Sequence, residues 1–208
     1  VFDTRDVGLA DFDSDGILEL VTANFEGTAR INPGLTQLPL PVSPSWQSGG
    51  REDVSAVAFG DADGDGDLDS GVADAEAGEV RLYERTGTSF SLSLSYTVTQ
   101  PNALAWGDYD GDGDLDIAVA CGAASPNVVL ENLGGLSFAT AAAWTSSELD
   151  SSTDVAWADY DGDGALDLAF SNEGEVDRLY RNVTQEASAS DAFDLVWNSP
   201  SANTNSRS

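Results

Sequence analysis

Four stretches of the chain place carboxylates at a spacing that suits one hard divalent cation each. They are Asp11-Phe12-Asp13-Ser14-Asp15-Gly16-Ile17-Leu18-Glu19, Asp61-Ala62-Asp63-Gly64-Asp65-Gly66-Asp67-Leu68-Asp69, Asp108-Tyr109-Asp110-Gly111-Asp112-Gly113-Asp114-Leu115-Asp116 and Asp159-Tyr160-Asp161-Gly162-Asp163-Gly164-Ala165-Leu166-Asp167. Counting from the first Asp, all four carry acids at positions 1, 3, 5 and 9, Gly at 6 and Leu at 8. Calcium takes about six to eight oxygen ligands at roughly 2.3–2.6 Å. A backbone curled round one ion brings the side chains at 1, 3 and 5 together, and Gly at 6 permits the sharp turn through a positive φ. Position 7 then supplies only its carbonyl, which explains why Ile17, Asp67, Asp114 and Ala165 are interchangeable there. The acid at 9 closes the shell, and Leu at 8 is expected to anchor the loop exit in the core.

Asp and Gly also favour turns without any ion. Four loops of identical spacing are hard to reach by turn preference alone, and unpaired clusters of four carboxylates repel. The chemistry favours Ca²⁺ at four sites. Magnesium demands a tighter octahedron and gives up its waters reluctantly. Transition metals prefer His, which is absent, or Cys, of which there is one. An EF-hand needs a bidentate acid at position 12 and flanking helices. Position 12 here is Thr22, Val72, Val119 and Phe170.

The formal net charge is -29, from 37 acidic and 8 basic residues, every basic one an Arg. This surplus repels nucleic acid and anionic membrane surfaces, so neither is an expected partner. It also destabilises a compact state unless cations neutralise part of it, and four Ca²⁺ ions would bring -29 to -21. Disorder is the other outcome of strong acidity. With 41% apolar residues, including five Trp and eight Phe, the chain can build a core. The lone Cys121, in an apolar run and without a His to activate it, reads as a buried inert thiol. No apolar stretch reaches the length of a membrane span. Neither an initiator Met nor a signal peptide is present, so the chain reads as a mature or excised segment.

The elements that must position the loops repeat with them. The loops begin 50, 47 and 51 residues apart, giving expected repeat units of about 1–50, 51–100, 101–149 and 150–208 within one repeat domain. Each unit opens with a short apolar stretch (Val7-Gly8-Leu9-Ala10, Val57-Ala58-Phe59-Gly60, Leu104-Ala105-Trp106-Gly107, Val155-Ala156-Trp157-Ala158), and a second apolar run follows each loop. These runs are too short for helices and are bounded by Gly and Asp, so they read as strands. A third strand follows a Gly/Asn turn, and a fourth ends on an aromatic, at 90–96, 138–144 and 193–197, with Trp46 in the first unit. The predicted fold is all-β: a propeller-like array of four four-stranded antiparallel blades, each with its calcium loop between the first two strands. One such unit cannot bury both faces, so neighbours must stack. Trp46, Trp144 and Trp197 share one phase of the repeat, which favours inter-blade packing over a carbohydrate-stacking platform.

The order apolar strand, Asp-x-Asp-x-Asp-Gly-x-Leu-Asp, apolar strand, Leu-Tyr-x-Asn resembles the FG-GAP/VCBS-type repeat of integrin α-subunit-like β-propellers. Ala58-Phe59-Gly60-Asp61, Ala105-Trp106-Gly107-Asp108 and Leu179-Tyr180-Arg181-Asn182 carry the resemblance, which covers essentially the whole chain. It implies calcium sites between the first two strands of each blade, and secreted or cell-surface proteins engaged in adhesion or recognition. Such propellers usually have about seven blades. Four units leave three alternatives: part of a larger propeller, a four-bladed ring, or a unit completed by other copies.

Several smaller signals remain. Asn182-Val183-Thr184 is an N-glycosylation sequon, with Asn182 as the acceptor. Tyr109 and Tyr160, at loop position 2, are candidate exposed contact residues. The tail at 198–208 reads as an ordinary inter-blade loop. The expected function is a non-enzymatic extracellular module that meets proteins or glycans at the cell surface, or copies of itself, through blades rigidified by Ca²⁺. A self-assembling subunit of a filament or surface layer is the structural alternative. A propeller-based polysaccharide lyase or hydrolase is the enzymatic one. Against it, the repeated acids are assigned to metal, and Glu26, Glu52 and Glu173 form no evident catalytic pair.

Overall fold

The computed structural model describes residues 3–25, 27–34, 43–49, 53–186 and 191–200. Among them there are only strands and turns, arranged as four four-stranded antiparallel sheets. The first holds β1 (Asp3–Ala10), β2 (Glu19–Phe25), β3 (Arg30–Asn32) and β4 (Trp46–Gln47). The second holds β5 (Val54–Gly60), β6 (Asp69–Asp74), β7 (Glu79–Thr86) and β8 (Ser89–Thr97). The third holds β9 (Pro101–Gly107), β10 (Asp116–Cys121), β11 (Val128–Leu130) and β12 (Trp144–Thr145). The fourth holds β13 (Ser152–Ala158), β14 (Asp167–Asn172), β15 (Arg178–Asn182) and β16 (Phe193–Asn198). Every sheet is a meander in chain order, so short turns suffice for every connection within it.

The sheets stack face to face in a β-propeller-like manner. The first strand of each following sheet packs on the first two strands of the one before: β5 on β1 and β2, β9 on β5 and β6, β13 on β9 and β10. Sheets twist and stack closely only where one side offers room. Small residues on the receiving strands supply it. A Cβ on Gly60 would lie 2.8 Å from Leu115 Cδ1 and 3.1 Å from Trp106 Cγ. One on Gly71 would lie 2.8 Å from Leu104 Cδ1, and one on Gly107 2.8 Å from Trp157 Cδ1. Gly at these places is a packing requirement rather than a weak strand residue.

The apolar core follows from this stacking. One cluster runs through the second, third and fourth sheets with Leu82, Ile117, Leu130, Leu168 and Phe170 at its centre. A second joins the first two sheets around Val21, Val54 and Val72. β10 is buried along its whole length, as near-continuous apolarity predicts for a strand covered on both faces, and β6 is equally buried although Asp69, Ser70 and Asp74 are polar. Trp46 packs on Tyr83 and Phe90 of the next sheet at centroid distances of 5.0 and 4.8 Å. Trp144 packs on Tyr180 and Phe193 of the next at 5.1 and 5.3 Å. Inter-blade packing is therefore their role.

The fourth strand of the third sheet is shorter than expected. Instead of 138–144, only Trp144–Thr145 is strand, with an isolated bridge between Asn132 and Phe138. Ala139 N–H still reaches Glu131 O and Ala143 N–H reaches Val129 O, both at 2.9 Å, so residues 140–142 bulge out between two points of pairing. The run Ala139-Thr140-Ala141-Ala142-Ala143 lacks the alternation that would hold it flat.

Candidate metal centres

Each acidic loop joins the first strand of a sheet to the second, and the carboxylates organise the loop's own backbone. In the second loop Asp61 Oδ2 accepts Gly66 N–H at 3.0 Å, Asp63 Oδ1 accepts Asp65 N–H at 3.1 Å and Asp65 Oδ1 accepts Asp67 N–H at 2.8 Å. The third loop repeats this with Asp108, Asp110 and Asp112. Gly at position 6 has φ between 85° and 97° in all four loops, the left-handed turn the sequence predicts. Four groups of carboxylates result, each with ligand atoms within 4.8 Å of one another: Asp11, Asp13 and Asp15; Asp61, Asp63 and Asp69; Asp108, Asp110 and Asp116; Asp159, Asp161 and Asp167.

The acids of positions 5 and 9 divide differently between loops. The position 5 carboxylate caps the N–H of position 7 in all four loops, and in the last three the converging groups are positions 1, 3 and 9. In the first loop Asp15 joins the group and Glu19 does not. Position 7 varies as expected, and the Asp67 side chain is occupied elsewhere, accepting Arg85 Nη1 at 3.0 Å and Gly87 N–H at 3.2 Å.

Position 9 does more than the sequence reading gave it. Asp69 Oδ2 accepts Ala62 N–H and its Oδ1 accepts Arg85 N–H, at 3.0 and 2.9 Å. Asp116 does the same with Tyr109 and Asn132, and Asp167 with Tyr160 and Asn182. The buried carboxylate thus clasps the loop to the end of the third strand. Two of the strand-end residues also tie the blades together. Asn132 Nδ2 donates to Ala62 O of the preceding sheet at 2.8 Å, and Asn182 Nδ2 donates to Tyr109 O at 2.6 Å. Their signal was the Asn that recurs 15 or 16 residues after position 9.

Burial raises the carboxyl of Asp116 to about 7 and that of Asp69 to about 6. Repulsion from Asp110 and Asp112, or from Asp63 and Asp65, adds to this, and the N–H donors oppose it. Asp63, Asp110 and Glu19 are raised too, burial again first among the causes. The donor set fits a hard cation: all oxygen, net negative and convergent. Asp61 Oδ1 is buried and has no hydrogen-bond donor, a position a bound cation would complete.

The remaining sequence candidates are placed as follows. Tyr109 is buried and Tyr160 is 47% exposed. Asn182 is buried with Nδ2 given to Tyr109 O and to Leu166 O at 3.0 Å, so the folded chain offers no free amide at the sequon. Cys121 is buried and its thiol is pushed up to about 12 by burial alone, an unreactive state. Glu26, Glu52 and residues 201–208 lie outside the described residues.

The stack and its loops can be set beside known proteins. No protein of curated function matches the chain in sequence. The fold is similar to the V. cholerae biofilm matrix protein Bap1, at TM-score 0.58 and 17% identity over 95% of this chain and 30% of that one. It is also similar to BBS1N, solved in complex with ARL6DN, at TM-score 0.55 and 14% identity over 86% of this chain and 50% of that one. The chain spans half or less of either protein. The FG-GAP-like repeat model matches residues 63–119 and 108–170, together just over half the chain and centred on the second, third and fourth loops. The chain belongs to the FG-GAP-like repeat family.

Proposed function

We propose that the chain is a non-enzymatic extracellular module in which four Ca²⁺ ions, one per sheet, rigidify the blades and hold a surface for adhesion, recognition or assembly. The observation that carries this reading is the placement of the carboxylate groups. All four sit at the same point, where the first strand turns into the second, and in the last three position 9 also clasps the third. An ion there neutralises the repulsion and locks three strands at once. Calcium is favoured over magnesium because the loops offer many oxygens in an adaptable shell.

Fold similarity to a biofilm matrix protein supports an extracellular setting, and proteins or glycans at a cell surface are the expected partners. Against an enzyme, the repeated acids are spent on metal and on backbone N–H groups. Among the described residues, no helix is long and apolar enough to cross a membrane.

Calorimetry with and without a chelator tests the reading. Four sites held at a calcium concentration of about 100 Kd would add about 11 kcal/mol, a rise in Tm on the order of 20–40 °C. A melting temperature unchanged by chelation would count against it.

A further inference from the structure

We propose, resting on the reading of the loops as calcium sites, that Arg85 is a built-in counter-ion of the second loop. The second and third loops then hold calcium with unequal affinity, and the third fills before the second. The two are a matched pair. Asp61-Ala62-Asp63-Gly64-Asp65-Gly66-Asp67-Leu68-Asp69 and Asp108-Tyr109-Asp110-Gly111-Asp112-Gly113-Asp114-Leu115-Asp116 differ only at position 2. Each carries five acids, and Gly66 and Gly113 make the same turn at φ of 93° and 97°. In both, the acid at position 9 accepts the N–H of position 2 and the N–H of a residue 16 positions further on.

That last residue is where the loops part. In the third sheet it is Asn132, a neutral side chain whose Nδ2 donates to Ala62 O. In the second it is Arg85, only 5% exposed. Arg85 Nη1 lies 3.0 Å from Asp67 Oδ1, and Asp67 Oδ2 accepts Gly87 N–H at 3.2 Å. Arg85 also lines, with Asp13 and Glu19 of the first loop, a cavity of about 120 Å³ between the first two sheets. Among the described residues, Asp67 is the only acid of the four loops in an ion pair. Its counterpart in the third loop, Asp114, stands beside Gly134 instead, its Oδ2 3.2 Å from where a Cβ would lie.

A guanidinium keeps its charge at any physiological pH, and a buried charge is screened far less by salt than a surface one. Beside the second loop it cancels one of five negative charges, while the third loop keeps all five. Calcium affinity follows the charge count of the ligands. A unit charge in contact with such a loop shifts the affinity for a divalent ion by on the order of ten- to a hundredfold. Without calcium the same contact acts in the opposite sense. Arg85 holds Asp67, and Asp67 holds the turn at Gly87 between β7 and β8, so Arg85 stands in for the ion and keeps the outer hairpin of the second sheet closed.

The test is a titration of the whole chain in a calcium buffer, followed by the amide signals of Gly66 and Gly113 in heteronuclear NMR spectra. Gly113 is expected to respond at a free calcium on the order of tenfold lower than Gly66. Arg85→Asn installs the residue that the third and fourth sheets carry at this place. It is expected to bring the Gly66 midpoint down toward that of Gly113, and to lower the melting temperature in chelator. A merely structural Arg85 would do the second and not the first. Asp114→Asn removes a charge and leaves the position 7 carbonyl, so it is expected to raise the Gly113 midpoint toward that of Gly66. Equal midpoints in the parent chain, a second loop that fills first, or a second loop no tighter in Arg85→Asn would each overturn the proposal and leave the calcium reading standing. Loop glycines that ignore calcium altogether would overturn both.

Discussion

The second and fourth sheets carry the same loop and nearly the same first strand, yet their surroundings differ. In the second, Gly60 sits under Trp106, Ala62 is 1% exposed and its carbonyl receives Asn132. In the fourth, the equivalent Ala158 and Tyr160 face outward. A motif that looks self-contained in sequence is therefore finished by the next blade, which covers position 2 and bonds its carbonyl, while position 9 is buried within its own sheet in both (Asp69 and Asp167 at 1%). The inner loops are structural parts of an interface, and the outer ones are built to the same plan with one wall missing.

The sharpest way to break this comparison is to add the same side chain to both seats. Gly107→Val puts methyl groups where Trp157 already stands at 2.8 Å, and overpacking of this kind costs about 3 kcal/mol. Ala158→Val, at the open seat, is expected to change stability by less than about 0.5 kcal/mol. Urea unfolding of a monomeric sample measures both. Equal effects would mean that the two ends of the stack are not different environments.

The next effect is electrostatic and belongs to the inner loops. Without calcium, the carboxyls of Asp116 and Asp69 titrate near 7 and 6 in the folded chain, against about 3.9 in the unfolded one. Between these values the folded state binds more protons than the unfolded state, so stability falls as pH rises. From pH 5.5 to 8 the loss in chelator is expected to be on the order of 2 kcal/mol. In calcium the trend reverses, because the ion needs the deprotonated ligands. Melting curves at the two pH values, in chelator and in calcium, show the sign. The slope in chelator should shrink when Asp116→Asn and Asp69→Asn are combined, and a slope that survives would place the titration elsewhere.

The sequence carried this architecture unevenly, for physical reasons. Loop spacing and short apolar runs report local geometry, and both the sheet order and the loop positions followed from them. Burial of a given loop residue is set by a chain segment some fifty residues away, so Tyr109 and Tyr160 look alike in sequence and differ in the fold. Leu at position 8 was expected to anchor the loop exit in the core. Leu68 does pack against the core shared by the first two sheets and Leu115 lies over Gly60 of the preceding sheet, whereas Leu18 is exposed. The clasp of position 9 was invisible because its donors are backbone N–H groups, which every residue but Pro offers.

The smallest expected effect separates the first loop from the other three. Position 4 is Gly64, Gly111 and Gly162 at φ of 74°, 78° and 79°, whereas the first loop holds Ser14 in the same left-handed region at 58°. A side chain there costs on the order of 1 kcal/mol, and Gly gives part of that back through its larger freedom in the unfolded chain. Ser14→Gly is therefore expected to stabilise by about 0.5 kcal/mol, and Gly111→Ser to destabilise by a similar amount. Neither changes a carboxylate, so both variants should bind as many calcium ions as the parent by equilibrium dialysis. If Gly111→Ser lost an ion while Ser14→Gly gained nothing, the two loops would differ in how they hold metal, and not only in what covers them.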